Sequence, residues 1–176
     1  SLGWKSIIIS SVNKLHNKKY IGKSVNQICM EYGYSDGADF ACDIMSDEEG
    51  KVGIIVMSMS QEDVDTVARL PYSMLISDSL YNSSDSPHPR LYGSFPRFIN
   101  DYVIKRKILS LPEAIRKMTS MPADKLGLKD RGLVKPGYAG DVNIFDPTKF
   151  RDNSVFGDSK KLSSGLDYAI ISGRLV

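Results

Sequence analysis

A chain of 176 residues fits one domain of ordinary size and falls well short of the roughly 250 residues of a closed (β/α)8 barrel. Hydrophobic residues at 41% and charged residues at 25% are close to soluble averages, which excludes wholesale disorder. Twenty-three Lys and Arg against 21 Asp and Glu leave a formal charge of +2, too balanced to call for a nucleic acid or an anionic membrane.

From Trp4 to Val12 the chain is rich in β-branched residues and is predicted as a strand, followed by a polar, basic loop over Asn13 to Lys23. Ser24 is placed to cap a short helix carrying Val25, Ile28, Cys29 and Tyr32 and ending at Gly33. A second helix follows Asp36, with Phe40, Ala41, Ile44 and Met45 at helical spacing, and Asp47-Glu48-Glu49-Gly50 is expected as a solvated turn. Cys29 and Cys42, one in each helix, are expected to be reduced and buried.

The apolar run Val52 to Met57 has the length and pattern of a parallel strand covered on both faces. Ser60-Gln61-Glu62-Asp63 then reads as a helix start with acidic residues in its first turn, and Val64, Val67, Ala68 and Leu70 form its apolar stripe. With a short strand over Met74 to Ser77, this gives an expected right-handed βαβ unit whose strand ends open onto one functional face. A long Ser-, Pro- and Asp-rich loop covers Asp78 to Ser94, a length typical of functional loops.

Phe95 to Ile108 is predicted as a helix, and a better marked one follows Ser110, where Ser110-Leu111-Pro112-Glu113 combines a Ser cap, an early Pro and a Glu three residues on. Pro122 to Leu128 is a further short helical piece. From Arg131 the texture changes to Gly-rich turns and short strands at Val142 to Phe145 and Tyr168 to Ile171, the latter turning at Ser172-Gly173 into Leu175.

No apolar run approaches the roughly 18 residues of a transmembrane helix, and no signal peptide opens the chain, so a cytoplasmic protein without a membrane partner is expected. The two histidines, His16 and His88, and the two cysteines show no CxxC, HxH or HExxH spacing; any metal must take most ligands from elsewhere. The basic stretch Lys14 to Lys23 and the run Lys105-Arg106-Lys107 lack interleaved aromatics and read as solvated surface.

Several segments taken together resemble the N-acyl-D-amino-acid deacylases, the D-aminoacylase branch of the amidohydrolase superfamily. They are Ser58-Met59-Ser60-Gln61-Glu62-Asp63-Val64, Ile76-Ser77-Asp78, Pro87-His88-Pro89-Arg90-Leu91-Tyr92-Gly93-Ser94-Phe95-Pro96-Arg97, and Leu111-Pro112-Glu113-Ala114-Ile115-Arg116-Lys117-Met118-Thr119-Ser120. The tail from Gly127 to Asp141, with Phe145-Asp146-Pro147, looks like the closing motif of the same family. No single piece is specific; their order and spacing are.

The resemblance implies an α/β fold in which residues 1–130 form the last strands and helices of an amidohydrolase barrel and residues 131–176 a β segment of a small β-sandwich. The family's HxH pair and its third-strand metal-binding Cys have no counterpart, so the chain resembles only the C-terminal portion. Zinc is the implied cofactor of the full-length family, and none is expected in this chain alone.

The implied reaction is hydrolysis of the amide bond of an N-acyl-D-amino acid, a small-molecule substrate. It requires an activated water and a proton for the departing amine, which a carboxylate can move. Asp78 matches the family's Asp at the end of the last barrel strand, a catalytic base and then acid and a metal neighbour; read from the residues alone, an Asp after a strand simply caps a loop, and the resemblance reverses that reading. The family commonly has Gly after this Asp, and Ser79 stands there instead, which puts the loop geometry in question. Arg90 is the implied partner of the substrate carboxylate, since a planar guanidinium binds it through two parallel hydrogen bonds. His88 beside it is the second substrate-binding candidate, or a surface His in a Pro-rich turn. The isolated chain is expected to be inactive. A noncatalytic binding or assembly module of the same fold is the alternative, and open strand edges call for a homodimer or local rearrangement.

Overall fold

Ser24 opens the first α-helix as its side chain predicts. Its Oγ accepts the Gln27 backbone N–H at 3.2 Å, while the Gln27 side chain accepts the Ser24 N–H at 2.8 Å, a reciprocal capping box that satisfies two orphan donors. The helix α1, Val25–Tyr32, ends at Gly33 in the left-handed conformation, φ 78°, which costs a residue without Cβ nothing. The computed structural model describes residues 3–80 and 86–176. These fall into two compact units: unit 1 draws on the described residues within 3–60, 79–80, 86–91 and 154–161, and unit 2 on 61–78, 92–153 and 162–176.

In unit 1, α1 is followed by α2, Gly37–Asp47, capped by Asp36. Strand β1 covers Ile7–Ser11, and Trp4–Ser6 is a 3-10 turn. The expected strand from Trp4 is thus shortened. Trp4 Nε1 donates to Asp36 at 3.0 Å, and its ring lies where a Cβ on Gly37 would be, so a tertiary anchor overrides β propensity. Ile9, Val12, Val25, Ile28, Phe40 and Ile44 make the core, each worth about 1.5–3 kcal/mol of burial for the larger side chains.

Strand β2, Gly53–Val56, corrects the parallel reading. It pairs antiparallel with β1 in the register Ile7↔Val56, Ile8↔Ile55, Ile9↔Ile54, and Ile54 and Val56 remain 52% and 43% exposed. A continuous apolar run cannot distinguish the two pairings, and among the described residues nothing covers the outer row.

In unit 2, α3 spans Gln61–Arg69. Met74 to Ser77 then runs without forming a strand, correcting the expected βαβ unit. Leu75 is half-buried and donates its N–H to Lys117 O at 3.2 Å, while Met74 and Ile76 face outward. The alternation is that of an extended segment, but no neighbouring strand supplies a ladder among the described residues.

Helix α4, Arg90–Arg97, starts inside what the sequence suggests is loop, and a π-helix over Phe98–Lys105 continues it. The middle of that loop, 81–85, lies outside the described residues. Ser110 accepts the Glu113 N–H and starts α5, Leu111–Met118; α6 is Ser120–Lys125. Phe98, Ile99, Tyr102 and Ala114 centre the second core.

Strands β3, Val142–Phe145, β4, Leu166–Ile171, and β5, Arg174–Leu175, form an antiparallel sheet in that order. The β4–β5 turn has Ser172 at φ 51° and Gly173 at φ 75°, the positive pair that a tight hairpin requires. No helix among the described residues is long and apolar enough to cross a membrane.

Candidate functional site

Asp78 follows the extended segment of unit 2 and is exposed. Its φ is 47°, in the left-handed region, whereas Ser79 is not among the residues with positive φ. The concern over Ser79 therefore moves back one position: the strained residue is the aspartate, and Asp is one of the few side chains that tolerates this conformation. A non-glycine held there aims its carboxylate in a direction that an extended residue would not.

His88 and Arg90 are brought together in unit 1. The Arg90 backbone N–H donates to His88 Nδ1 at 3.0 Å, so Nδ1 is the acceptor and a neutral ring carries its proton on Nε2. Arg90 is the first residue of α4, where backbone N–H groups lack helical partners, and the imidazole satisfies one of them.

The surrounding Pro-His-Pro segment is fastened from several sides. The His88 ring meets Phe156 edge-on at 5.2 Å, the buried Ser154 donates to Pro89 O at 3.1 Å, and the Ser86 N–H donates to Ser10 O at 3.0 Å. Pro87 and Pro89 are buried, whereas Arg90 is exposed. His88 is thereby a rigid support beside an accessible guanidinium.

Sequence reasoning missed a polar cluster at the end of α2. Glu48, expected in a solvated turn, is 2% exposed and accepts the backbone N–H groups of Asn13 at 2.7 Å and Lys14 at 3.1 Å, with Asn17 Nδ2 at 2.6 Å. Burial raises its carboxyl pKa, and these hydrogen bonds outweigh burial and hold it below its ordinary value. Asp47 beside it accepts from Lys14 at 2.8 Å, Asn17 at 2.7 Å and His16 at 2.6 Å, with Lys14 the main cause of its lowered pKa. The one available signal was the basic loop opposite two acidic residues.

Cys42 is exposed, not buried, while Cys29 is half-buried, and both are free thiols. Phe40 and Ile44 share the buried face of α2, and two residues on from Phe40 the helix points away.

In unit 2, Asp65 is held by Arg106 and by Gln61 Nε2 at 2.9 Å, and Gln61 also donates to the Tyr102 hydroxyl at 3.1 Å. This fixes α3 to the π-helix. Among the described residues no three His, Cys, Asp or Glu converge as a metal site.

The model for the Amidohydrolase family matches residues 63–176. An N-acyl-D-aspartate deacylase of Alcaligenes xylosoxydans xylosoxydans is 32% identical over 155 residues, covering 88% of this chain and 30% of that protein. An N-acyl-D-glutamate deacylase of the same organism is 35% identical over 124 residues, covering 70% and 25%. Among solved structures, the N-acyl-D-glutamate deacylase from Bordetella bronchiseptica, complexed with zinc and a phosphonate mimic of the tetrahedral intermediate, superposes with a TM-score of 0.82 at 28% identity. The match covers 98% of this chain and 34% of that one. The chain thus spans 25% to 34% of the length of these relatives.

Proposed function

Because the chain belongs to the amidohydrolase family, in its N-acyl-D-amino-acid deacylase branch, we propose that it is the C-terminal portion of a zinc-dependent N-acyl-D-amino-acid deacylase. The observation that carries this is the fold match over 98% of the chain to the D-glutamate deacylase. Residues 1–130 are read as barrel and 131–176 as a β segment of the small sandwich, and the location as cytoplasmic.

In this reading the Asp78 carboxylate takes a proton from the attacking water as the new C–O bond forms. It returns that proton to the amide nitrogen as the C–N bond breaks, leaving a carboxylate and a free D-amino acid. Arg90 binds the substrate's α-carboxylate through its planar fork, and His88 holds the backbone from which that side chain projects and borders the same substrate. The described residues do not by themselves fit a zinc ion. The zinc ligands, Asp78 apart, are assigned to the rest of the longer protein, and the isolated chain is read as inactive.

The test is reconstitution. The chain alone, and the chain co-expressed with the N-terminal remainder of the Bordetella relative, are assayed with N-acetyl derivatives of D- and L-Asp, Glu and Leu. D-specific release of amino acid only by the reconstituted pair is expected. A pair that assembles and binds zinc yet releases nothing would overturn the reading in favour of the noncatalytic module. For that module the exposed Ile54 and Val56 offer an assembly surface, and a homodimer through this row is proposed for the isolated chain.

A further inference from the structure

A cavity of about 270 Å³ lies within unit 2. Its wall is apolar where Val64 and Ala68, one turn apart on α3, face Leu75 and Phe98. Two cations line it as well, Arg97 and Lys117, and no carboxylate does.

The two cations differ in what they have left to offer. Lys117 is 1% exposed, and its ammonium is committed to Leu70 O, to Ser73 O at 3.0 Å and to Ser73 Oγ at 3.0 Å. Three acceptors use all three of its protons, and Glu113 Oε1 at 3.9 Å offsets its charge, so it offers the cavity no free donor. Arg97 is exposed and makes no hydrogen bond or ion pair among the described residues. Its neighbours in unit 2 do: Arg106 pairs with Asp65, Arg116 with Glu113 and Arg131 with Asp130. A guanidinium without a counter-ion among the described residues, at the edge of an apolar cavity, is complementary to an anion with an apolar body.

We propose that this cavity binds a short apolar monocarboxylate, its chain against Val64, Ala68, Leu75 and Phe98 and its carboxylate on the Arg97 fork. At the ~30 Å³ that one water occupies, the space takes about nine heavy atoms, enough for hexanoate. A free amino acid or inorganic phosphate would leave the apolar wall unfilled, and an alcohol would leave Arg97 unpaired. The inference stands on unit 2 alone and does not require the deacylase reading.

The probe is sodium hexanoate, titrated into the full chain while backbone amide resonances are followed by NMR, with 1-hexanol, hexylammonium and acetate as comparisons. Saturable shifts at Ala68, Leu75 and Phe98 are expected with hexanoate. Binding of hexanol or acetate should be at least about tenfold weaker, the scale of a lost charge-assisted contact or of the lost apolar burial, and hexylammonium should not bind. Arg97→Gln should weaken hexanoate at least about tenfold at an unchanged melting temperature, since the residue is exposed and makes no hydrogen bond or ion pair among the described residues. Ala68→Leu, which fills the wall, should exclude hexanoate; if it unfolds the chain, Arg97→Gln still decides. Hexanol binding as tightly as hexanoate, an unaffected Arg97→Gln, shifts mapping elsewhere, or no saturable shift would each overturn the proposal.

Discussion

Ser163 donates its hydroxyl to the carbonyl oxygen of Tyr92 at 2.9 Å, the carbonyl that residue 96 would reach in a regular helix. Residue 96 is Pro and has no N–H to give. A side chain from far along the sequence therefore completes a helix that its own composition interrupts, just before the backbone widens into the π-helix. Ser163→Ala should cost about 0.5–1.5 kcal/mol, the net worth of one such bond. In a Pro96→Ala background, where the backbone can donate for itself, the same change should cost less. Urea denaturation of the four proteins of this cycle measures the coupling; equal costs in both backgrounds would mean that Ser163 does not compensate for the proline.

The Asp47 and Glu48 cluster makes unit 1 acid-sensitive. Both carboxyls lie below their ordinary values of 3.8 and 4.5 in the folded chain. The stability they contribute is thus present above those values and is lost as pH falls through them toward the folded ones. The urea midpoint should hold near pH 6 and fall steadily below about pH 4.5. Asp47→Asn should flatten that fall, and an unchanged slope would remove Asp47 as a contributor. Glu48→Gln should cost about 1–3 kcal/mol at neutral pH, because an amide NH2 then faces the Asn13 and Lys14 donors.

What the sequence made legible was local. The Ser24 and Ser110 caps, the Gly33 stop and the Ser172-Gly173 turn are set by neighbours within a few residues, and each forms where expected. Pairing of the apolar run at 54–56 was not legible, because its partners Ile7 to Ile9 lie 45 to 49 residues upstream and periodicity carries no direction. Nor were the burial of Glu48 and Lys117, since each is made tolerable by acceptors or donors distant in sequence. At the candidate site, the local His88–Arg90 contact follows from a two-residue spacing, whereas the left-handed backbone of Asp78 came with no glycine to announce it.

Ile54 and Val56 form an exposed apolar row on β2, which pairs only with β1 among the described residues. An uncovered row on such a strand invites association. The isolated chain should sediment as a dimer, and Val56→Lys, placing a charge in that row, should return it to monomer without lowering its melting temperature by more than a few degrees. Dimerisation that survives Val56→Lys would assign the interface elsewhere.

In the reconstituted enzyme, Asp78 and Arg90 should fail in different ways. Asn tolerates φ near 47° as Asp does, so Asp78→Asn is expected to remove the proposed proton transfer without refolding the loop. It should lower kcat by about a hundredfold or more, the scale of positioned acid–base catalysis, with KM nearly unchanged. Asp78→Val, which cannot adopt that backbone easily, should also lower stability, and the gap between the two variants separates chemistry from geometry. Arg90→Lys keeps the charge but loses the two-pronged fork. It should raise KM and narrow the preference for D over L substrate, with a smaller loss in kcat. His88→Ala, which leaves the Arg90 N–H without its Nδ1 acceptor, should resemble Arg90→Lys more than Asp78→Asn. Steady-state kinetics on both enantiomers distinguish these patterns: a normal kcat in Asp78→Asn, or unchanged KM and stereoselectivity in Arg90→Lys, would end the assignment at that residue.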